Sequence, residues 1–169
     1  MIVLLSDTHR QRKPDLTGHL RARIQEATAV CHAGDFTTTT VLEHFQDIAP
    51  RLYAVHGNAD ERAVIDQLPP KRTIRESGVN IAMTHRKRGG KTGLMMFGRE
   101  RDADIVVSGH THNPTIVQTD GPLLVNPGSH ADPRGNQPGY AEIKQSPEQI
   151  IATIYTPTGS KIQEVKVTE

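Results

Sequence analysis

Short apolar runs alternate with longer amphipathic stretches through the first two thirds of the chain. Ile2 to Leu5 is apolar throughout and predicts a buried strand, and Ala29 to His32 predicts a second. Between and after them, Leu16 to Ala27 and Thr37 to Ile48 carry apolar residues at helical spacing. Leu52 to Val55 returns to strand rhythm, and Asp60 to Leu68 predicts a helix that Pro69 and Pro70 stop. Arg72 to Arg75 and Val79 to Thr84 pair around Glu76, Ser77 and Gly78. Lys91 to Arg101 predicts a helix weakened by Gly93 and Gly98, and Ile105 to Ser108 another buried strand.

Beyond Ser108 only strands are predicted. Thr115 to Thr119 and Leu123 to Asn126 form a hairpin across Asp120, Gly121 and Pro122, followed by strands at Tyr140 to Lys144, Ile150 to Tyr155 and Lys161 to Val167. Arg134 to Gly139 reads as a simple Pro/Gly loop. An α/β half thus precedes a β half, and both must bury one apolar face. The expected fold class is α/β, with two packed β-sheets flanked by helices in a four-layer α/β/β/α sandwich. The chain has 169 residues, enough for one core, so a single domain over 1–169 is expected.

Composition narrows the classes of function. Lys and Arg total 20 against 19 Asp and Glu, which removes any whole-molecule case for nucleic acid or anionic membranes. No apolar window approaches the roughly 20 residues of a membrane helix, and Met1 to Leu5 lacks the basic region of a signal peptide, so a soluble cytoplasmic protein is expected. Cys31 is the only cysteine and reads as an inert core side chain, which excludes an internal disulfide and a cysteine-built zinc site. Nine histidines stand out in a chain with no tryptophan.

Their placement is phased with the strands. Asp7 and His9 follow the first strand, Asp35 the second, Asn58 the third, His85 the strand from Val79, and His110 with His112 the strand ending at Ser108. The carboxyl ends of strands in an open α/β sheet converge on one crevice, so residues far apart in sequence reach one place. Two carboxylates, an amide and four imidazoles form the mixed oxygen and nitrogen set that manganese, iron, nickel and zinc accept. Gly34, Gly57 and Gly109, each just before one of these residues, fit a close approach of backbone to a charged site or merely a turn.

Ser6-Asp7-Thr8-His9, Gly34-Asp35, Gly57-Asn58-Ala59-Asp60, His85, Gly109-His110-Thr111-His112 and Asn126-Pro127-Gly128-Ser129 resemble, in order, the motifs of the calcineurin-like metallophosphoesterases. The small single-domain phosphodiesterase branch is the most similar. The resemblance implies a phosphodiesterase with a dinuclear divalent metal centre, with manganese or nickel favoured and zinc or iron admitted. By position, Asp7, His9, Asp35 and His112 hold one cation and Asp35, Asn58, His85 and His110 the other. Asp35 bridges, Asn58 also touches a phosphate oxygen, and a metal-bound hydroxide is the nucleophile. Homo-oligomers, dimers or larger, are implied as well.

Two departures shape the expectation. Many relatives carry a histidine after the Gly-Asn pair to assist the leaving group, and here that position is Ala59, which weakens general acid catalysis. Asp60 is then expected to cap the following helix. Where relatives usually have glycines, this chain has Arg10 and Arg86, and with Arg12, Lys13, Lys87, Arg88 and Lys91 these make two basic loops. Arg10, Arg86 and Arg88 are thus candidate contacts to a nucleotide or other polyanionic phosphoester, the alternative being solvated loops. His130 is a candidate substrate contact, His32 and His56 satisfied core histidines or supports for a ligand, and His19 and His44 surface residues. The rival functions are a metal-binding scaffold for protein partners, since the fold also occurs in a membrane-trafficking subunit, and a metal-dependent nuclease.

Overall fold

The computed structural model describes residues 1–168. Eleven strands and four helices follow in the order β1 (Ile2–Leu5), α1 (Gly18–Glu26), β2 (Ala29–His32), α2 (Thr39–Ile48), β3 (Leu52–Ala54), α3 (Arg62–Ile65), β4 (Lys71–Glu76), β5 (Val79–Thr84), α4 (Gly90–Arg99), β6 (Ile105–Val107), β7 (Thr115–Val117), β8 (Leu123–Asn126), β9 (Tyr140–Ser146), β10 (Gln149–Tyr155) and β11 (Lys161–Thr168). They form a six-stranded sheet, β11-β10-β9-β1-β2-β3, and a five-stranded sheet, β4-β5-β6-β8-β7. The expected α/β/β/α sandwich is what the chain adopts.

The unbroken apolar runs follow from burial on both faces. In β1, Ile2 and Leu4 face the second sheet, joining Cys31, Ile81, Met83, Ile105, Val107 and Val125 in the central core. Val3 and Leu5 face the other way, onto Leu20, Ile24, Phe36 and Phe45 under α1 and α2. The second sheet repeats the plan, with Ala82, Val106 and Leu124 turned toward Phe97 of α4.

The helices begin where a side chain can cap them, which trims the expected ends. Thr17 Oγ1 accepts from Leu20 N at 3.1 Å and Thr38 Oγ1 from Val41 N at 3.4 Å, so α1 and α2 start at Gly18 and Thr39, each two residues later than expected. The division into an α/β half and a β half does not survive as a division between sheets. Parallel β1, β2 and β3 are extended antiparallel by the C-terminal strands, with Ile2 opposite Ile143. Parallel β5, β6 and β8 form the middle of the other sheet. Gln163 on β11 closes one corner, its side-chain amide bonding both the N–H and the carbonyl of Ile116 on β7 at 2.9 Å. Among the described residues no helix is long and apolar enough to cross a membrane.

His130 ties the long loop after β8 to the layer of α2. It is buried beside Phe45, its Nε2 lies 2.7 Å from the carbonyl of Pro14, and its Nδ1 has no partner. Burial pushes its pKa down to about 4. An unfolded histidine titrates near 6.5, so between those values the unfolded chain binds a proton that the folded chain refuses. This contribution is full above pH 6.5 and is lost as pH falls toward 4. Urea unfolding at pH 7 and pH 5 is expected to show a loss of about 2 kcal/mol from this residue, which His130→Gln removes from the slope.

Candidate metal centre

Parallel strands of both sheets end at one rim, and the chain turns there within one or two residues of each strand. Such abrupt turns put side chains back over the strand ends, and the backbone records it. Asp7, His9, Asp35, His110 and His112 all have positive φ, at 53°, 44°, 61°, 75° and 56°. L-residues rarely take this conformation, and it is held here by the surrounding contacts. Asp7 N donates to Gly34 O at 2.9 Å, His9 N to Asp35 O at 3.0 Å and Ser129 Oγ to Asp7 O at 2.6 Å. Two glycines are required by closeness: a Cβ on Gly57 would strike the Asp35 carboxylate, and one on Gly109 would strike Ser6 Oγ and lie 2.6 Å from Asp7 Oδ2.

The side chains converge on two buried carboxylates. Asp35 Oδ2 lies 3.3 Å from His9 Nε2 and 3.1 Å from His85 Nε2. Asp7 Oδ1 lies 3.4 Å from His112 Nε2 and 3.9 Å from the Nε2 atoms of both His9 and His85. Asp7 with His9 and His112, and Asp7 with Asp35 and His85, each bring one ligand atom per residue within 4.8 Å of the others. Asp7 and Asp35 are 0% and 2% exposed.

The imidazoles are oriented from behind. His85 Nδ1 lies 2.8 Å from Ala33 O, and His112 Nδ1 bonds Asp132 O. A carbonyl accepts only from N–H, so both rings turn the Nε2 lone pair to the centre, as metal-binding histidines do. His85 Nε2 is buried without a hydrogen-bond partner. Carboxylate oxygens and imidazole lone pairs packed this closely are all acceptors, and a cation is the partner that satisfies them together. The donor set therefore fits a divalent metal.

Ionisation follows the same geometry. Burial favours a neutral Asp35, but the His85 and His9 imidazoles and the Ala59 N–H, at 2.7 Å, overcome it and hold the carboxyl well below its usual range. Burial lowers His85, and the nearby carboxylates of Asp35 and Asp7 more than reverse this, raising its pKa above the ordinary value. His110 is lowered by burial, then by His85 and Arg86.

Two of the seven expected ligands stand further out. Asn58 is exposed at the tip of the loop after β3. The His110 ring centroid lies 5.4 Å from that of His85, and its backbone N–H donates to Asp7 Oδ2 at 2.9 Å. Of the expected rim residues, Arg86 Nη1 is 3.4 Å from His110 Nε2, and Arg88 is exposed. Arg10 departs from expectation. Its guanidinium is engaged by Asp15 and by the carbonyls of His9 and Ala131, so it braces its own loop instead of facing the cluster.

Arg134 was hidden in what reads as a plain Pro/Gly loop. Its Nη2 reaches 3.5 Å from His9 Nε2 while Nε bonds Asp132 at 3.0 Å. Its signal in the sequence was only a lone cation in a long irregular segment. Asp60 is a clearer correction. It does not cap α3, whose cap position is Glu61. Its carboxylate instead accepts from the N–H groups of Asp35, Thr37 and Gly57 at 3.0, 2.8 and 2.7 Å, stitching two ligand loops together. Asn126 braces the next loop, donating to Gly109 O and Thr111 Oγ1.

The remaining polar residues are structural. His32 is fully buried, stacked on Phe36 and bonded to Thr8 Oγ1 at 2.8 Å. His130 is buried with its Nε2 committed to the carbonyl of Pro14. Cys31 is buried, with its thiol pushed up to about 12 by desolvation, and is unreactive.

Strained, convergent carboxylates and imidazoles at the ends of two facing sheets define a metal-binding phosphoesterase type of site. The comparisons agree: the model of the calcineurin-like phosphoesterase superfamily domain matches residues 1–146, and the chain belongs to that superfamily. A probable metallophosphoesterase of Methanothermobacter thermautotrophicus is 30% identical, covering 91% of each chain. A phosphodiesterase of Methanocaldococcus jannaschii is 25% identical over 75% of this chain and 82% of its own. Vacuolar protein sorting 29 from Cryptosporidium parvum superposes with a TM-score of 0.84 over 99% and 97% of the two chains at 17% identity, a likeness of fold alone.

Removing the Asp60 carboxylate orphans the buried N–H groups of Asp35 and Gly57 and the partly buried one of Thr37. Asp60→Ala is expected to lower stability by about 3 kcal/mol in urea unfolding and to weaken manganese binding by about tenfold or more in calorimetric titration.

Proposed function

We propose that the protein is a phosphodiesterase working with two divalent cations. Asp7, His9, Asp35 and His112 hold the first, and Asp35, Asn58, His85 and His110 the second. The observation that carries this reading is the unpartnered, buried Nε2 of His85 facing Asp35 and Asp7 across 3.1 and 3.9 Å, a set of acceptors that a divalent cation would satisfy. When bound, such a pair of ions neutralises the phosphoryl oxygens and makes water nucleophilic near neutral pH.

The chain's own residues do the rest. Asp35 spends Oδ1 on Ala59 N–H, which leaves Oδ2 between His9 and His85 free to hold a cation. Asn58, exposed beside it, meets a phosphate oxygen. Arg134 beside His9 and Arg86 beside His110 hold the phosphate by charge-assisted bonds. Ala59 offers no proton, so the leaving group takes its proton from solvent. This favours diesters over monoesters, whose extra charge demands more of the site, and agrees with the similarity to a phosphodiesterase. Manganese or nickel is the preferred metal, zinc or iron the substitute, and a cytoplasmic dimer or larger homo-oligomer is the expected form.

A scaffold for protein partners is the second reading, favoured by the structural likeness to a vacuolar sorting protein. Hydrolysis of bis(p-nitrophenyl) phosphate separates the two. With manganese the chain is expected to release nitrophenol, to stop on addition of a chelator, and to lose at least about a hundredfold in kcat/KM as Asp35→Asn. A metal-loaded preparation without this activity would replace the enzyme reading by the scaffold. Arg134→Ala and Arg86→Ala are each expected to raise KM for nucleotide diesters several-fold, about 1 kcal/mol apiece; unchanged values remove that role.

A further inference from the structure

Helix α4 lies over β6 and β8, and the edge strand β7 beyond it is only partly covered, with Val117 packed against the cluster under α4. The space between α4 and β7 is a cavity of about 390 Å³ that begins at His85 and His110. This is the size of a small-molecule site, for which roughly 300–1,000 Å³ is usual. Its lining is apolar at Leu94, Val117 and Leu124 and cationic at Arg86, Lys87 and Lys91.

No carboxylate balances those cations, although the Lys87 ammonium lies 5.9 Å from the centre of the Phe97 ring. No carboxylate lines the cavity, and among the described residues none of its three cations has a carboxylate within ion-pair distance. Unpaired cations occur elsewhere among the described residues, Arg12, Arg21, Arg72 and Arg88 among them; what this cavity adds is three of them on one lining. Gly90 and Lys91, the first turn of α4, also line the cavity. Gly89 at the cap provides no side-chain hydrogen bond, and the helical ladder starts with Gly93 N to Gly89 O, so the N–H groups of that turn point outward unpaired. The unpartnered His85 Nε2 stands at the cavity's inner end.

We propose that this cavity receives one ester arm of the substrate and selects a nucleotide. Its flat ring rests on Leu94, Val117 and Leu124, and a second phosphate is held by Lys87, Lys91 and the first turn of α4. This rests on the phosphodiesterase reading and adds the substrate class to it. A lining that is apolar in part and cationic in part fits a body that is flat on one side and anionic on the other. The arm held in the cavity is retained, and the arm facing solvent leaves with a proton from water. Water's oxygen bonds to phosphorus, the bond to the solvent-side ester oxygen breaks, and that arm departs as an alcohol with a proton from water. The nucleotide keeps the phosphate as a monoester, and water's second proton goes to solvent.

Calorimetric titration of the manganese-loaded chain with thymidine 3′,5′-bisphosphate, thymidine 5′-monophosphate, pyrophosphate and inorganic phosphate tests this. The bisphosphate is expected to bind about tenfold tighter than the monophosphate and than pyrophosphate. The Lys87→Ala/Lys91→Ala double variant should bring bisphosphate and monophosphate within about threefold, and Val117→Trp should reduce both nucleotides toward inorganic phosphate. Circular dichroism establishes folding, and Lys91→Glu, at an exposed position, serves if the double variant is unstable. Equal binding of bisphosphate and monophosphate, pyrophosphate binding as tightly as the bisphosphate, or discrimination unmoved by the substitutions overturns the nucleotide assignment. Hydrolysis of bis(p-nitrophenyl) phosphate by the same preparation is read separately. Hydrolysis without discrimination removes the cavity's role and keeps the phosphodiesterase, whereas discrimination without hydrolysis does the reverse.

Discussion

Asp7 and Asp35 are buried at the same rim, each within 4 Å of the same two imidazoles, His9 and His85. Two carboxylates so placed repel one another and lose their hydration, so neither is tolerable without dense compensation. The structure supplies it in layers. Backbone N–H groups of Ala59 and His110 bond the carboxylates directly, and imidazole nitrogens crowd around them. Five residues of the set accept left-handed backbone conformations to reach the centre. Glycines at 57 and 109 clear the space those carboxylates occupy. A local arrangement this strained persists because two sheets, packed through one apolar core, hold the strand ends rigidly.

The same constraint separates roles around the rim. Residues behind the centre, such as Asp60, Asn126, Ser129 and Ala33, spend their polar groups on other protein groups and so fix loops and ring orientations. Residues in front, Arg86, Arg134 and Asn58, are exposed. Arg10 shows that charge and proximity in sequence are insufficient to distinguish them. It follows a ligand directly, yet its guanidinium is consumed by Asp15 and two carbonyls. Net charge near zero for the whole chain coexists with three cations and no carboxylate on the lining of one cavity, so any selection of anionic substrate resides there and not in the overall field.

Much was legible from local pattern. Continuous apolar runs such as Ile2 to Leu5 required strands covered on both sides, and a chain of alternating strands and helices could satisfy that only by layering. The spacing of Asp7, His9, Asp35, His85 and His112 after strands was enough to anticipate their meeting, because parallel strands deliver their carboxyl ends together. Helix ends were less legible, since whether Leu16 or Gly18 starts α1 depends on which hydroxyl meets an N–H.

By itself, the sequence determined the element types, the layered architecture and the residues that converge, since periodicity and side-chain chemistry are local properties. Only the tertiary structure decided that β9 to β11 complete the first sheet beside β1, because strand pairing is settled by competition between distant edges. It likewise decided that Asp60 fastens ligand loops instead of capping a helix, and that Arg134 and not Arg10 reaches the cluster. Those roles depend on which N–H groups and carbonyls come within about 3 Å, and that is fixed when segments far apart in the chain pack together.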